Sequence, residues 1–479
     1  MMSKRNGVRA SAVRVVVAGA VHVVLVFLLG SVALAAAQYE IDVNVDWDGG
    51  TFAGTAHVTA ENNTLRSIDE LVFRLFPNDD VIYGGASLRV AEVSVAGEAV
   101  EIGVQSDATV LPILLPVSLP PGQTVGVTLN FHGTAGPSTL DAPAGTAGYG
   151  ILTKNPRSLV LTAFYPILAV LDDGGWQTDP TCGFGDALWS EAADYSVTVT
   201  TTETLAPAAS GRLLSSQTED GLSVHRFAAE SARDFSLVLM RGYEESELQS
   251  GSQTLRAWFT PSERTAAQRT LELASRALEL FARRIGPLPF DEIEFVEVPL
   301  HRAAGVEFSG VILVASSYAL RPFDPFYDII VSHEMAHQWF YAVVGNNPSA
   351  SPWLDEGLAT YLSNVFLEET SSEEAREVEV RTWQDKYRSA RSLYPDLAVG
   401  DAACSFPTAS IYSSYVYDGG AWFLHAVRNE IGDDAFFAAL SAYYDIGGIG
   451  TEDSLFEAFE DACDCDLAAL FESFGFGVE

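Results

Sequence analysis

The segment HEMAHQWF at residues 333–340 decides the fold of this chain. A helix start at Asp324 precedes it, and apolar residues recur at helical spacing up to Val344. This pattern predicts one helix over residues 324–344. Residues at positions i and i+4 lie on one face of a helix, so His333 and His337 are predicted to reach the same metal ion. The alternative is a pair of histidines buried in the core.

A carboxylate in the next predicted helix completes this site. Ser351-Pro352 begins that helix, and Glu356 lies one turn inside it. Two histidines and one glutamate leave the fourth position of a tetrahedral zinc ion open, as in catalytic zinc sites. We therefore predict one zinc ion per chain, with His333, His337 and Glu356 as metal ligands. Glu334 lies beside the histidines and is predicted to act as the general base.

Composition argues against several other classes of protein. The chain has 479 residues, 48% of them apolar, which is too apolar for a disordered protein. At about 150 residues per domain, this length corresponds to two or three domains. The 27 Lys and Arg against 64 Asp and Glu give a formal charge of −37. No basic stripe exists to hold phosphates, so no nucleic-acid partner is expected.

The first 37 residues differ in composition from the rest of the chain. Cations come first, at Lys4, Arg5, Arg9 and Arg14. An apolar stretch over residues 15–29 and the small residues ALAAA at 33–37 follow, which is the pattern of a signal peptide. Since this stretch is long enough to span a bilayer, an uncleaved membrane anchor over residues 1–37 is the alternative. Both interpretations predict an exported protein, secreted, periplasmic or at the cell surface.

Export permits disulfide bonds between the four cysteines, Cys182, Cys404, Cys463 and Cys465. The loop from Cys463 to Cys465 is too short to close easily on itself. We therefore expect at least one of these two cysteines to pair with Cys182 or Cys404. A metal site at this CxC pair is the weaker alternative, because no histidine lies nearby.

The amino-terminal half has the period of β-strands. Apolar residues alternate with polar ones over residues 39–47, and Asp48-Gly49-Gly50 predicts a turn before a second strand at 51–60. Further β-rich segments lie at 70–76, 88–100, 124–131, 195–201 and 235–240. These segments predict an all-β, sandwich-like domain over residues 38–243.

From residue 244 to 479 the pattern is mixed. A long amphipathic helix is predicted from Thr260 to Ile285, and strands are predicted at 293–298 and 306–314. Nearly everything from Pro325 onward is predicted to be helical. The predicted fold class is therefore α+β and multidomain, with an all-β domain followed by a mixed α/β domain that becomes mostly helical.

The sequence resembles the gluzincin aminopeptidases, which include aminopeptidase N and leukotriene hydrolase. The resemblance rests on HEMAHQWF at 333–340 and WLDEGLA at 353–359, with eighteen residues, 338–355, between the last histidine and the glutamate. AGVEF at 304–308 stands about where the family has G-x-M-E-N, and YDGG at 417–420 where it has Tyr-x-Lys-Gly. The resemblance implies a thermolysin-like zinc peptidase domain over residues 244–479.

The resemblance also implies roles for residues that nothing else in the sequence singles out. Glu307 would anchor the free α-amine of a peptide, with Gly305 beside it in the substrate site, and Tyr417 would donate to the developing oxyanion. Without the resemblance, Glu307 would be interpreted as a solvated residue of an edge strand. Tyr415 is the nearest competitor of Tyr417 for the oxyanion role.

The chain departs from the family pattern at four positions: Ala304, Val306, Phe308 and Gly419 replace glycine, methionine, asparagine and lysine. The loss of the asparagine amide weakens the case for strict amine recognition. The sequence ends about 120 residues after Glu356, so the large helical carboxy-terminal domain of the family is expected to be absent and the cleft open.

The implied function is an exported zinc aminopeptidase that acts on peptides. The alternatives are a zinc endopeptidase with an open cleft and a non-catalytic peptide-binding surface protein. Membrane contact is expected only through an uncleaved amino-terminal segment. The remaining candidates are interpreted structurally: His425 as a core residue, His301 as a loop residue and the acidic run at 368–379 as an exposed helix face.

Overall fold

The structure is a computed structural model that describes residues 37–102, 107–138, 148–172, 174–202 and 204–477. The predicted signal peptide or membrane anchor, residues 1–37, lies outside these ranges except for Ala37, which begins the first strand. No helix within the described ranges is long and apolar enough to cross a membrane.

An eight-stranded sheet dominates the amino-terminal half. In spatial order its strands are Arg212–Glu219, Leu222–Ala232, Ala193–Thr201, Ala37–Asp46, Thr51–Glu61, Thr124–Thr134, Ser87–Val95 and Glu98–Val100. Ala37–Asp46 pairs in parallel with Ala193–Thr201 and antiparallel with Thr51–Glu61. Residues of Ala37–Asp46 are alternately buried and exposed, as the period-two pattern predicted.

Smaller sheets complete the β-rich half. A three-stranded sheet contains Ile167–Leu168, Ile68–Arg74 and Val110–Leu119, and a four-stranded sheet contains Ala206–Ala209, Leu237–Met240, Ser158–Leu161 and Leu152–Lys154. A two-stranded sheet contains Leu171–Asp172 and Gly175–Trp176. Side chains from the eight-, three- and four-stranded sheets share one buried core, which contains Tyr39, Phe73 and Leu239. The prediction of a β-rich amino-terminal half is confirmed.

A five-stranded mixed sheet opens the carboxy-terminal half, in the order Glu244–Ser250, Gln253–Phe259, Glu292–Val298, Val311–Ala315 and Gly305–Phe308. The single strand predicted over residues 306–314 is wrong, because Ser309 and Gly310 turn the chain into a hairpin. Gly310 adopts a φ of 71°, and the Ser309 amide donates to Asp234 at 3.0 Å. The hairpin places Gly305–Phe308 at the edge of the sheet.

Helices form most of the remaining chain. In chain order they are α1 (Asp80–Tyr83), α2 (Arg264–Arg284), α3 (Ser316–Ala319), α4 (Pro325–Ala336), α5 (Trp353–Thr370), α6 (Glu373–Leu393), α7 (Ala409–Ile431), α8 (Asp433–Asp445), α9 (Glu452–Cys463) and α10 (Ala468–Phe474). Single 3-10 turns lie at Phe76–Asn78, Pro261–Glu263 and Ala403–Ser405, and Val344–Gly345 pairs with Gly448–Ile449. The domain boundary at residues 243 and 244 stays a prediction, because the chain from the first strand onward forms one compact unit.

Helix α4 ends at Ala336, so the prediction that it runs to Val344 is wrong. Arg233, a buried residue of the β-rich half, donates to the carbonyls of Tyr341 at 2.6 Å and Val343 at 3.1 Å. These carbonyls therefore bind a guanidinium across the core instead of continuing the helix. His337 is the C-cap residue and keeps helical backbone angles, with a φ of −62° and a ψ of −18°. Its side chain therefore still lies on the same helical face as that of His333.

The disulfide bonds join Cys182 to Cys404 and Cys463 to Cys465. The expectation that Cys463 or Cys465 would pair with Cys182 or Cys404 is wrong. Asp464 adopts a left-handed conformation, with a φ of 50° and a ψ of 47°, and this brings the two flanking Cα atoms to 5.2 Å. Cys182–Cys404 links a loop of the β-rich half to the 3-10 turn before α7.

Candidate active site

A cavity of about 470 Å³ lies between the β-rich half and the carboxy-terminal half. Its walls include α4, α5, α6, α7 and the edge strand Gly305–Phe308. The predicted site residues that line it are Gly305, Glu307, His333, Glu334, Glu356 and Tyr417. His337 lies beneath them and is 1% exposed. One cavity therefore brings together residues that lie more than 100 positions apart in the sequence.

Three possible metal-ligand atoms meet at the floor of this cavity. His333 Nε2 lies 3.1 Å from Glu356 Oε2 and 3.1 Å from His337 Nε2. His337 Nε2 lies 3.5 Å from the same glutamate oxygen. The turn of helix between the two histidines and the first turn of α5 produce this convergence.

The surroundings of His337 indicate which of its ring nitrogens is free to bind a metal. His337 Nδ1 lies 3.1 Å from the carbonyl oxygen of Phe340, a contact in which Nδ1–H donates. The neutral ring then carries its lone pair on Nε2, which faces the carboxylate of Glu356. Two imidazole nitrogens and one carboxylate facing a single point form the donor set of a catalytic zinc ion. The residues therefore fit zinc.

Glu334 lies beside this donor set with one oxygen free. Its side chain is 5% exposed, and Oε2 has no hydrogen-bond partner among the described residues. Gly305 makes room for it, since a Cβ atom at Gly305 would lie 2.5 Å from the Glu334 carboxylate. A buried carboxylate oxygen without a partner is costly unless a water or a substrate proton satisfies it. This arrangement suits a general base.

Glu307 is 6% exposed, so its interpretation as a solvated strand residue is wrong. The carboxylates of Glu307 and Glu334 and a ring nitrogen of His337 have ligand atoms within 4.8 Å of one another. Burial raises the pKa of Glu307 well above its usual value, and the negative charge of Asp186 raises it further. Burial likewise raises the pKa of Glu334, with Glu307 as the next cause. Such crowded acids favour a bound cation.

The structure places Tyr417, and not Tyr415, at the metal ligands. The Tyr417 hydroxyl donates to Glu356 Oε1. The Tyr415 hydroxyl donates instead to the backbone carbonyl of Tyr394 at 2.6 Å, in the core behind α7. Tyr417 can therefore reach a substrate oxygen at the metal, whereas Tyr415 has a structural partner.

Two departures from the family pattern have a packing explanation. A side chain at Gly419 would place its Cβ atom 2.9 Å from the ring of Tyr387 and 3.1 Å from Val399, so a lysine would not fit there. The side chain of Phe308 is buried in the core of the β-rich half, where it supplies no amide to the cavity. Ala304 and Val306 line the cavity wall.

Several cavity residues were missed by the sequence analysis. Asp186, Tyr149 and Phe184 come from irregular segments of the β-rich half, and Tyr412 lies one and a half turns before Tyr417 on α7. The Tyr412 hydroxyl is buried without a hydrogen-bond partner among the described residues, and burial raises its pKa. The one sequence signal near Asp186 is Cys182, which was expected to form a disulfide with a partner that the sequence did not fix.

The other sequence candidates lie outside the catalytic cluster. His301 is exposed on a loop, and His425 is half-buried beside the ring of Tyr361, so it is not a fully buried core residue. Among the described side chains of the acidic run, Glu368, Glu369, Glu374 and Glu377 are exposed, and Glu368 binds Arg428 at 2.8 Å. Glu379 is partly buried and lines the cavity. Interpreting the whole run as an exposed face was therefore wrong at Glu379.

Comparison with known proteins agrees with this geometry. Residues 269–474 match the Peptidase family M1 domain. Aminopeptidase N of Lactobacillus delbrueckii subsp. lactis is 27% identical over 226 residues, which cover 43% of this chain and 26% of that protein. Aminopeptidase 2 of Candida albicans is 23% identical over 239 residues, which cover 46% of this chain and 25% of that protein. The chain thus matches about a quarter of the length of these relatives.

Solved structures show the same fold over nearly the whole chain. The M1 zinc metallopeptidase from Deinococcus radiodurans superposes with a TM-score of 0.66 at 20% identity, covering 92% of this chain and 94% of that one. A mutant of that enzyme has been solved bound to a Tyr-Ser-Ala substrate. The shared fold therefore includes both the β-rich half and the half that contains the histidines.

Proposed function

Because this chain carries a peptidase family M1 domain and belongs with the gluzincin aminopeptidases, we propose that it is a zinc aminopeptidase. The observation that carries the proposal is the convergence of His333, His337 and Glu356 beside the unpartnered carboxylate of Glu334. The proposed substrates are peptides with a free amino terminus. Each chain would hold one zinc ion.

The cavity residues have separate roles in the proposed peptide hydrolysis. His333, His337 and Glu356 would hold the zinc ion, which would supply a Lewis acid for the scissile carbonyl and for the attacking water. Glu334 takes a proton from the attacking water and passes it to the leaving amine. Tyr417 donates its hydroxyl proton in a hydrogen bond to the oxygen that becomes negative. Glu307 holds the substrate ammonium and so fixes which peptide bond reaches Glu334.

The position of Glu307 favours removal of single residues from the amino terminus. Its carboxylate lies in the same cluster as Glu334 and His337, so an ammonium bound there is about one residue from the attacked carbonyl. The second candidate is an endopeptidase, which is favoured by the burial of Phe308 away from the cavity. A cavity with one fewer amide oxygen to accept from the ammonium holds the amine less strictly.

Metal analysis and one substitution test the proposal. Purified protein should contain about one zinc per chain and release amino acids from aminoacyl reporter substrates. Glu334→Gln should keep the zinc and lose about a thousandfold in kcat, because the amide cannot accept the proton. Glu379→Gln makes the same change on another cavity-lining carboxylate and should stay active. Zinc-free parent protein, or a zinc-loaded parent without activity on peptides, would support the non-catalytic alternative instead.

We also propose that the protein is exported. The amino-terminal composition supports this, and so do the two disulfide bonds, which persist in oxidising compartments. Cell fractionation and amino-terminal sequencing of the recovered protein test the proposal and show whether residues 1–37 are removed. Recovery of an uncleaved protein in the cytoplasm would contradict it.

A further inference from the structure

Three large apolar side chains are exposed where the chain turns from α3 into α4. Leu320 is 67% exposed, Phe323 74% and Phe326 44%. No other stretch of seven residues in the described part of the chain exposes three large apolar side chains. Single exposed apolar residues are ordinary on a protein surface, whereas a cluster of them is typical of a binding surface. We call these three side chains the apolar rim.

The backbone of the turn holds the apolar rim in place. The Arg321 amide donates to the carbonyl of Tyr318 at 2.8 Å, and the Asp324 amide donates to the carbonyl of Arg321 at 3.0 Å. The Asp324 side chain caps α4 by accepting from the Phe326 amide at 3.1 Å. The rings of Tyr318 and Phe326 pack with their centroids 5.5 Å apart. A ligand of the rim therefore meets a surface that is already ordered, which lowers the entropic cost of binding.

The apolar rim is continuous with the cavity. Phe326 lines the cavity, and so do Ile329, Ile330 and His333. These residues lie three, four and seven positions after Phe326, so all four share one face of α4. An apolar stripe thus runs from the metal ligand His333 to the rim. Its length is about 10 Å at the helical rise of about 1.5 Å per residue, which about three residues of extended peptide would cover.

The proposed amine anchor lies at the opposite end of this path. Glu307 shares a cluster with His337, which is the C-cap residue of α4. A peptide anchored at Glu307 by its ammonium would pass His333 and continue along the stripe toward the amino-terminal end of α4. Its fourth residue would reach Phe326, and its fifth and sixth residues would reach the rest of the rim.

We propose that the apolar rim binds apolar side chains of the substrate beyond its third residue, so that peptides with a hydrophobic stretch at positions four to six are preferred. The inference rests on the proposed function. Burying these side chains against the rim removes apolar surface of both partners from water. The charges within the turn, Arg321 and Asp324, are paired at 3.6 Å, so they favour an apolar occupant over an ionic one.

Two hexapeptides that differ only in their last three residues test the proposal. Both have a free amino terminus, and their sequences are Leu-Ala-Ala-Leu-Phe-Leu and Leu-Ala-Ala-Ser-Asn-Ser. Calorimetry with the zinc-loaded Glu334→Gln protein measures both dissociation constants without turnover. With the rim intact, the apolar peptide should bind at least about tenfold more tightly than the polar one. Adding Leu320→Ser and Phe323→Ser should reduce this ratio to less than about threefold.

Two control variants complete the experiment. Leu114 is 70% exposed on the three-stranded sheet, so Leu114→Ser removes a similarly exposed leucine at another place and should keep the parental ratio. Leu320→Met combined with Phe323→Leu keeps the rim apolar and should also keep it. In protein that retains Glu334, the serine substitutions should raise KM for the apolar peptide and change kcat little, because the rim lies away from the reacting atoms.

The other outcomes have distinct meanings. Equal affinities of the two peptides with the rim intact, or an unchanged ratio in the double serine variant, would overturn the inference and leave the proposed function standing. Light scattering on the same samples tests a second copy of the chain as the occupant. A dimer that is lost in the double serine variant, with an unchanged ratio, would assign the rim to that copy. Selective binding by a protein that retains Glu334 and cleaves neither peptide would support the rim as a peptide-binding surface and refute the peptidase proposal.

Discussion

Gly357 and Gly420 lie against each other, so that a Cβ atom on Gly357 would be 3.1 Å from the Cα atom of Gly420. This contact lets α5 and α7 approach closely. Glu356 and Tyr417 lie one and three residues from the two glycines, and the Tyr417 hydroxyl reaches Glu356 because the helices touch here. The glycine contact therefore positions a metal ligand and the proposed oxyanion donor together.

Gly420→Val should separate the two helices and weaken the site. The added side chain would overpack a contact between backbones, which costs about 1–3 kcal/mol of unfolding free energy. Zinc affinity and kcat should fall with it, as measured by chelator competition and reporter hydrolysis. Gly126→Val is the control, since a side chain at Gly126 meets no atom within 4 Å. A Gly420→Val protein with parental zinc affinity and kcat would show that the helix contact does not matter for the site.

Tyr417→Phe should lower kcat by about 100- to 1,000-fold and leave KM nearly unchanged, because the hydroxyl acts on charge that develops in the transition state. Zinc content should be preserved, since both histidines and Glu356 remain. Tyr415→Phe is the matched control and should keep its activity, losing only about 1 kcal/mol of stability with its bond to Tyr394. If the two variants had equal activities, the Tyr417 hydroxyl would not be the group that stabilises the oxyanion.

Removal of Cys182–Cys404 by a double serine substitution should affect substrate binding as well as stability. The bond closes a loop of 222 residues and holds the segment 184–186, which lines the cavity, so we expect a loss of about 2–5 kcal/mol and a raised KM for peptide substrates. The double serine variant of Cys463 and Cys465 provides the comparison, because that bond spans only two positions far from the cavity. Thermal unfolding and steady-state kinetics measure both effects. Parental KM in the first variant would show that the disulfide has no role in shaping the cavity wall.

The burial of His225 predicts that the folded protein loses stability in acid. It is 3% exposed in the large sheet, both ring nitrogens lack partners among the described residues, and burial lowers its pKa. The folded protein therefore keeps His225 neutral, while the unfolded chain binds a proton below a pH of about 6.5. Its contribution is complete above that pH and is lost as the pH falls below it, at up to about 1.4 kcal/mol per pH unit.

His225→Leu should flatten this acid dependence in denaturant unfolding measured between pH 7 and pH 5. His132→Leu, at an exposed position of the same sheet, should leave the dependence in place. The account of His225 is contradicted if both variants follow the pH profile of the parent.

Local patterns in the sequence predicted much of the fold and of the metal site. The alternation over residues 39–47 and the spacing of His333 and His337 are short-range properties, and the structure keeps both. Features that depend on distant partners were not predictable. Arg233 shortens α4 by binding carbonyls about 110 residues away, and Asp186 lines the same cavity as Glu356 although 170 positions separate them. The prediction for Cys463 and Cys465 was wrong for a different reason. Their disulfide depends on the left-handed backbone of Asp464, which the sequence does not specify.

The most direct test of the aminopeptidase proposal is mass spectrometry of one peptide, about ten residues long, incubated with the zinc-loaded protein in free and amino-terminally acetylated forms. The proposal predicts that the free peptide yields a ladder of products, each one residue shorter from the amino terminus, while the acetylated peptide stays intact. Internal cleavage of both peptides at equal rates would contradict it and establish the endopeptidase alternative.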